Sequence, residues 1–425
     1  MKRFCSLILL CLLLSGCTMR GSIEAAAPAE SDAAPTPTIE STPAPTPAPT
    51  PEPTPEPTPE PVPARQLGFT MGIHSYGADY RPNNDVLAIL SAGQSTTLYS
   101  EEPFTQLYLR WNKLPGSWTL SFNDRTLLCG TDGFLHETVL LPEAADSVTI
   151  TLSSDSDAGL VYLFGAAVFT EGSLPDWVQC WSPPCEKADL MVLSTHNDDD
   201  ILFFGGAEPY YASERGLTVQ VVYFIRHREG YGRSNEALDA LWYMGIRNYP
   251  VFSFFPDVLV SMVEEYTQCI DPEAGKAFLA ENIRRFRPEV IVTQDVNGEY
   301  GHLAHVYMLS LFRQVIEETA DAAKYPESAA AYGVWDVPKT YIHLWGDAET
   351  QTVMDWDVPL RSFDGLSGIE VARNAFMLHA SQYATGKHMV EGRDDPYSSY
   401  RFGLYRSLVG EDEAKNDLFE HLSID

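Results

Sequence analysis

Two kinds of hydrophobic pattern divide the chain. Between about Leu67 and Phe169, apolar and polar residues alternate in short runs, at 106–111, 117–122, 147–152 and 159–164. A period of two is that of a strand with one buried face, and turn residues separate the runs with no convincing helix among them. Several such strands at near-regular spacing predict an all-β sandwich of the jelly-roll type. Beyond about Trp177 the pattern changes. Residues 189–194, 217–224 and 289–294 are continuous apolar runs, and helical stretches such as 234–244 and 303–319 accompany them. Strands without a polar face are buried on both sides, so this half is predicted to be an α/β domain: a Rossmann-like parallel sheet with helices on both faces.

The first residues follow neither pattern. Met1-Lys2-Arg3 precedes an apolar stretch from Phe4 to Leu14 and then Leu14-Ser15-Gly16-Cys17, the order of a bacterial lipoprotein signal. The stretch is shorter than the roughly 20 residues that span a bilayer. Cys17 is therefore the expected lipidation site, and the expected location is extracytoplasmic, anchored by lipid to the bacterial cell membrane. From Thr18 to Arg65 large apolar residues nearly vanish in favour of Pro-Thr and Pro-Glu repeats, which cannot bury a core and form a semi-rigid spacer. The expected organisation is a signal peptide with its lipidated cysteine at 1–17, a linker at 18–65, a β-sandwich at 66–176 and an α/β domain at 177–425.

Charge narrows the partners. A formal net charge of −31 disfavours nucleic acid, anionic headgroups and polyphosphate, and favours a neutral or cationic substrate. The membrane is expected as a partner only through the lipid, and nothing points to an obligate protein partner. Once Cys5, Cys11 and Cys17 are set aside with the signal, Cys129, Cys180, Cys185 and Cys269 remain. Cys180 and Cys185 are spaced for a small disulfide loop or are free thiols, and their order does not match a zinc ribbon. In the sandwich, Tyr108, Trp111 and Trp118 are core residues by pattern, with sugar stacking as the other use of such aromatics.

The chemistry gathers where strands of the α/β half end. The first is followed by Thr195-His196-Asn197-Asp198-Asp199-Asp200. Three adjacent carboxylates repel one another unless a cation neutralises them, and His with Asp suits Zn²⁺; a capped helix start with acidic residues is the competing explanation. The strand through Thr293 leads into Gln294-Asp295-Val296-Asn297-Gly298-Glu299-Tyr300-Gly301-His302-Leu303-Ala304-His305. His302 and His305, three apart, share a face once a helix has begun. With His196 and Asp199 they allow a closed set of three ligands and leave an acid-base residue in each cluster.

These motifs resemble those of the PIG-L family of zinc deacetylases, which carry His-Pro-Asp-Asp-Glu after the first strand and Gly-His-Pro-Asp-His later. Arg233-Ser234-Asn235-Glu236 is similar to the family's Arg-x-x-Glu helix, and His379-Ala380-Ser381-Gln382 matches a further patch. The resemblance implies that His196, Asp199 and His305 bind zinc, or another divalent ion. It makes Asp198 the general base, His302 the general acid or oxyanion partner, and Tyr300 a group that polarises the carbonyl. Arg226, Asp295 and Asn297 are expected on the substrate side. Asn197 and Asp200 depart from the family's proline and glutamate. Ala304 replaces an aspartate that sets the charge of the general-acid histidine, so His302 is expected to titrate lower or to serve as a hydrogen-bond donor. The implied function is a metal-dependent hydrolase removing an N-acetyl group from an extracellular N-acetylated amino sugar or glycoconjugate. The alternative is a glycan-binding surface lipoprotein whose deacetylase domain is weakened. The lipoprotein of a solute importer fits the signal but leaves the ligand set unexplained.

Overall fold

The computed structural model describes residues 62–226 and 232–424. The expected signal peptide, Cys17 and all but the end of the linker lie outside those residues. The described residues all belong to one compact unit. Among the described residues no helix is long and apolar enough to cross a membrane.

The first half is antiparallel throughout. Its strands are β1 (Gln66–Leu67), β2 (Phe69–Met71), β3 (His74–Tyr76), β4 (Ala88–Leu90), β5 (Ser95–Trp111), β6 (Trp118–Phe122), β7 (Arg125–Cys129), β8 (His136–Leu152) and β9 (Val161–Phe169). The main ladder runs β1-β9-β5-β8-β6-β7, with β2 and β3 joined through β5 and β4 through β9. Alternation does what the pattern requires: Trp118, Leu120 and Phe122 of β6 are buried and the residues between them only half-buried. The two 17-residue strands β5 and β8 are longer than the pattern indicates. Glu101-Glu102-Pro103 breaks the alternation in β5, and the ladder absorbs the break as a register shift between Tyr99 and Phe104.

Tyr108, Trp111 and Trp118 are at most 1% exposed, so none of them offers a stacking face to a sugar. The indole N–H groups of Trp111 and Trp118 both donate to Glu137 Oε2, at 2.9 and 2.7 Å, and the Gly130 amide donates to Oε1 at 2.8 Å. A buried carboxylate here satisfies three donors that would otherwise be orphaned.

The second half contains β10 (Leu190–Ser194), β11 (Val219–Tyr223), β12 (Val251–Phe252), β13 (Val290–Thr293), β14 (Lys339–His343), β15 (Thr352–Val353) and β16 (Arg401–Ser407). The accompanying helices are α1 (Asp199–Phe204), α2 (Arg233–Tyr243), α3 (Pro272–Phe286), α4 (Leu303–Val315), α5 (Pro326–Tyr332), α6 (Gly368–Met377) and α7 (Ala380–Tyr383). The sheet order is β12-β11-β10-β13-β14-β16-β15. Its first five strands are parallel, and β16 runs antiparallel to both neighbours, so the sheet is mixed rather than wholly parallel.

Every residue of β10, β11, β13 and β14 is buried, because successive side chains enter two different cores. Leu190, Val192, Val221, Val292 and Tyr341 pack with Phe203, Leu241 and Ala372 from α1, α2 and α6. Met191, Leu193, Val222, Ile291 and Ile342 pack with Leu279, Ile283 and Met308 from α3 and α4. Both faces of the sheet are thus covered, and the strand order reverses between β10 and β13. At such a point the connections leave in opposite directions and open a crevice at the carboxyl ends of the strands.

Helix α2 ties the halves together. Arg110 of β5 forks onto Asp239, Nη1 to Oδ1 at 3.0 Å and Nη2 to Oδ2 at 2.9 Å. The Asn235 amide donates to Trp111 O at 3.0 Å, and the Leu135 amide donates to the Tyr249 hydroxyl oxygen at 3.0 Å. Cys129, Cys180, Cys185 and Cys269 are all free thiols, so residues 180 and 185 close no disulfide loop.

Candidate metal centre

The reversal in strand order decides which loops meet. Residues 195–200 leave the end of β10 and residues 294–302 leave the end of β13, its neighbour. The two loops bond directly: the Thr195 amide and hydroxyl both donate to Gln294 Oε1, the amide at 2.7 Å. Gly298 makes the second loop possible. Its φ is +70°, and a Cβ there would lie 2.4 Å from the His302 carbonyl oxygen. A side chain would force His302 away.

The three consecutive carboxylates face three different partners. Asp198 stands at the N-cap of α1 but makes no side-chain cap bond; its Oδ2 lies 2.7 Å from Arg233 Nη2. Asp199 turns to the histidines, with Oδ2 2.8 Å from His196 Nδ1 and 3.0 Å from His305 Nε2. Asp200 accepts from the Tyr223 hydroxyl at 2.8 Å inside the core, where burial pushes its carboxyl up to about 7. Capping does not account for this arrangement.

His305 is fully buried and held from behind. Its Nδ1 lies 2.7 Å from Glu299 Oε2, and Glu299 Oε1 accepts from the Asp295 amide at 2.9 Å and sits 3.1 Å from His343 Nδ1. His343 Nε2 in turn lies 3.0 Å from Ser398 O. With Nδ1–H donating to Glu299, Nε2 is the nitrogen left to take a cation, proton or metal, and it faces His196 Nδ1 at 3.2 Å. Burial opposes charge on His305, yet the carboxylates of Asp199 and Glu299 outweigh it and push the ring up to about 10. Burial likewise opposes charge on Asp199, and His305 and His196 outweigh it, holding its carboxyl well below the usual range. A site that buries carboxylates around an imidazole demands positive charge.

Zinc meets that demand. A tetrahedral ion with bonds of roughly 2.0–2.2 Å places its ligand atoms about 3.3 Å apart. The three atoms His196 Nδ1, Asp199 Oδ2 and His305 Nε2 stand 2.8, 3.0 and 3.2 Å from one another. Two imidazole nitrogens and a carboxylate oxygen are also the donor types the ion prefers. His302 offers a looser alternative, since one ring nitrogen from each of His196, His302 and His305 falls within 4.8 Å of the others. The set that includes Asp199 is the tighter and the only one carrying negative charge.

His302 borders this set. Its ring stacks on that of His305 at 4.5 Å and meets that of His196 at 4.7 Å. Burial lowers it to about 4, assisted by His196 and His305, and its Nδ1 is buried without a hydrogen-bond partner among the described residues. Ala304 points the other way, into the apolar core beside α3. Position 304 therefore brings no carboxylate to the His302 ring.

Residues 191–316 match the family model described as PIG-L: GlcNAc-PI de-N-acetylase. The chain is 41% identical over 71 residues, 17% of its own length and 21% of the relative's, to 1D-myo-inositol 2-acetamido-2-deoxy-α-D-glucopyranoside deacetylase 1 of Catenulispora acidiphila. To the corresponding deacetylase of Rhodococcus erythropolis it is 27% identical over 180 residues, 36% of this chain and 59% of the relative. It thus spans between about a fifth and three fifths of the length of these curated relatives. Among solved structures it is similar to N,N'-diacetylchitobiose deacetylase from Pyrococcus horikoshii, with 14% identity, 47% of this chain and 72% of that chain covered, and a TM-score of 0.36.

The PIG-L motif residues read from the sequence come together as one cluster. Tyr300 lies at its mouth, 44% exposed, with its ring 5.7 Å from that of His302. Arg226 stands at the end of β11, its amide donating to Phe255 O at 2.8 Å. Asp295 is buried while Asn297 is exposed, and the Asp295 carboxyl accepts from Asn297 across the turn, with burial raising its pKa. The two supporting patches touch as well: the Ser381 amide and hydroxyl donate to Glu236 at 3.0 and 2.6 Å.

Four participants carry no signal in the sequence reading. Glu299 stands inside the motif without a role, and His343 belongs to a distant strand. Arg233 is recognisable as part of a helix but not as the partner of Asp198. Asp257, after β12, brings Oδ1 to 3.8 Å from His196 Nε2. An acidic residue three and six positions before the two histidines is the signal that finds Glu299.

Proposed function

We propose that the protein is a metal-dependent hydrolase that removes the N-acetyl group from an N-acetylated amino sugar or glycoconjugate. The observation that carries this reading is the convergence of His196 Nδ1, Asp199 Oδ2 and His305 Nε2 within 3.2 Å, beside a second carboxylate and a third histidine. The sugar is supplied by likeness: the similar curated proteins are named as deacetylases of an acetamido sugar.

His196, Asp199 and His305 would hold zinc, with other divalent ions admissible to the same donors. When bound, the ion supplies Lewis acidity, polarising the amide carbonyl and making water a nucleophile near neutral pH. Asp198 accepts the proton of the attacking water, its position set by Arg233. His302 donates a hydrogen bond to the developing oxyanion, and Asp198 passes the proton it has taken from water to the nitrogen of the departing amine. Tyr300, at the open side, adds a second donor toward the carbonyl. Arg226 and Asn297 contact substrate hydroxyls, with Asp295 bracing the turn that carries Asn297. The products are acetate and a free amine.

The reading extends to the address and organisation of the chain. Lipid on Cys17 anchors it to the outer side of the cell membrane, and the spacer at 18–65 carries the β-sandwich at 66–176 and the deacetylase domain at 177–425 away from the lipid.

The test is acetate release. Zinc-loaded protein is given N-acetylglucosamine, its short oligomers and its glycosides. Stoichiometric acetate and free amine from at least one of them is expected, and none from a broad panel, with metal bound, overturns the catalytic reading.

A further inference from the structure

Tyr300 sits on a sharply turned piece of backbone, between Glu299 at φ +54° and Gly301 at φ +87°. Its side chain is exposed at the mouth of the site and is surrounded by other rings. His302 and His305 meet it edge-on, at 5.7 and 6.2 Å between centroids, and Phe203 is tilted against it at 6.2 Å. The remaining two come from far along the chain. His388 stacks on Tyr300 at 5.3 Å with the planes 27° apart, and Tyr397 meets it edge-on at 6.3 Å. Among the described residues, His388 is both the nearest ring to Tyr300 and the one closest to parallel, a geometry within the favourable range for aromatic pairs.

The segment that carries His388 is tied to the metal site. Two residues on, Val390 is buried in the core that contains Phe203 of α1. The Glu391 amide donates to Leu202 O, also of α1, at 3.1 Å, and the Ser399 hydroxyl donates to Glu391 O at 2.6 Å. Ser398 O lies 3.0 Å from His343 Nε2, and His343 Nδ1 lies 3.1 Å from Oε1 of Glu299, the residue before Tyr300. The stacking partner and the tyrosine are thus referred to the same framework. An exposed aromatic side chain otherwise changes rotamer within picoseconds to nanoseconds, whereas a ring pair of this kind shifts the balance of rotamers by about 2- to 10-fold. Residues 384–400 lie outside the stretch matched by the family model, which ends at 316.

We propose that His388 is a positioning residue: by stacking on Tyr300 it holds the phenol where its hydroxyl meets the substrate carbonyl, so that a segment beyond the matched domain completes the site. The inference rests on the deacetylase reading for what Tyr300 does. A donor held toward the developing oxyanion acts in the transition state, and the fraction of time it spends there scales kcat and leaves KM nearly unchanged.

The test is a mutant cycle on zinc-loaded full-length protein, with acetate release measured on N-acetylglucosamine and its short oligomers. His388→Ala is expected to lower kcat by about 2- to 10-fold at unchanged zinc content, with little change in KM. His388→Phe keeps a stacking ring and is expected to restore kcat. In a Tyr300→Phe background, which lacks the hydroxyl, His388→Ala is expected to cost nothing further. A fluorotyrosine placed at position 300 gives a second readout that needs no turnover: its fluorine NMR resonance is expected to move in His388→Ala and to return in His388→Phe. Wild-type kcat in His388→Ala, an equal loss in the Tyr300→Phe background, or no recovery in His388→Phe overturns the assignment. Acetate release that His388→Ala leaves unchanged defeats the inference and spares the deacetylase reading. A resonance that moves as expected in a protein releasing no acetate defeats that reading and leaves the hold of His388 on Tyr300 standing.

Discussion

Glu299 Oε2 lies 2.7 Å from His305 Nδ1, and this contact fixes which nitrogen His305 presents to Asp199 and His196. A carboxylate behind a ligand histidine sets its tautomer and raises its donor strength, and losing such a partner typically costs about 10–100-fold in metal affinity. Glu299→Gln keeps the size of the side chain while removing the charge. Zinc dissociation measured with a competing chelator should be faster and tighter binding lost by that factor. Affinity equal to wild type would mean that the contact is structural only.

Arg233 and Asp198 form the second relationship the account depends on. Arg233→Met removes the 2.7 Å ion pair without touching a metal ligand. Turnover should fall by an order of magnitude or more, while zinc content stays at wild-type level. Asp198→Asn should lower it further, by about 10²–10⁴-fold, the range for loss of a general base. Wild-type turnover in Asp198→Asn would remove that residue from the mechanism.

Stability in the β half hinges on Glu137. Its carboxylate accepts from Trp111, Trp118 and the Gly130 amide. Glu137→Gln places an amide NH₂ among donors, leaving at least one buried group unsatisfied at about 1–3 kcal/mol. Urea unfolding should show a loss of that size, and an unchanged midpoint would contradict it.

The legible part of the molecule is the part encoded in local sequence. Residues 189–194 and 289–294 are apolar throughout because both faces of β10 and β13 are covered, and a strand of that kind can be read without its neighbours. His196, Asp199, His302 and His305 sit at the ends of those strands, so the loops that carry them were placed with them. What could not be read is pairwise. Glu299 to His343 spans 44 residues and Arg233 to Asp198 spans 35, and nothing in either segment announces its partner. The antiparallel β16 was also invisible, since Arg401–Ser407 is half-exposed and lacks the apolar run of its neighbours. At Ala304 the expected direction, a lowered His302, agrees with the structure, but the cause is pairwise again: burial, with His196 and His305 beside the ring.

The central claim is that His196, Asp199 and His305 hold a metal ion. Elemental analysis of purified wild type beside His305→Ala and Asp199→Ala tests it most directly, with circular dichroism confirming that each variant is folded. One zinc per wild-type chain and marked loss in both variants is the predicted result. Stoichiometric metal retained in both would contradict the account.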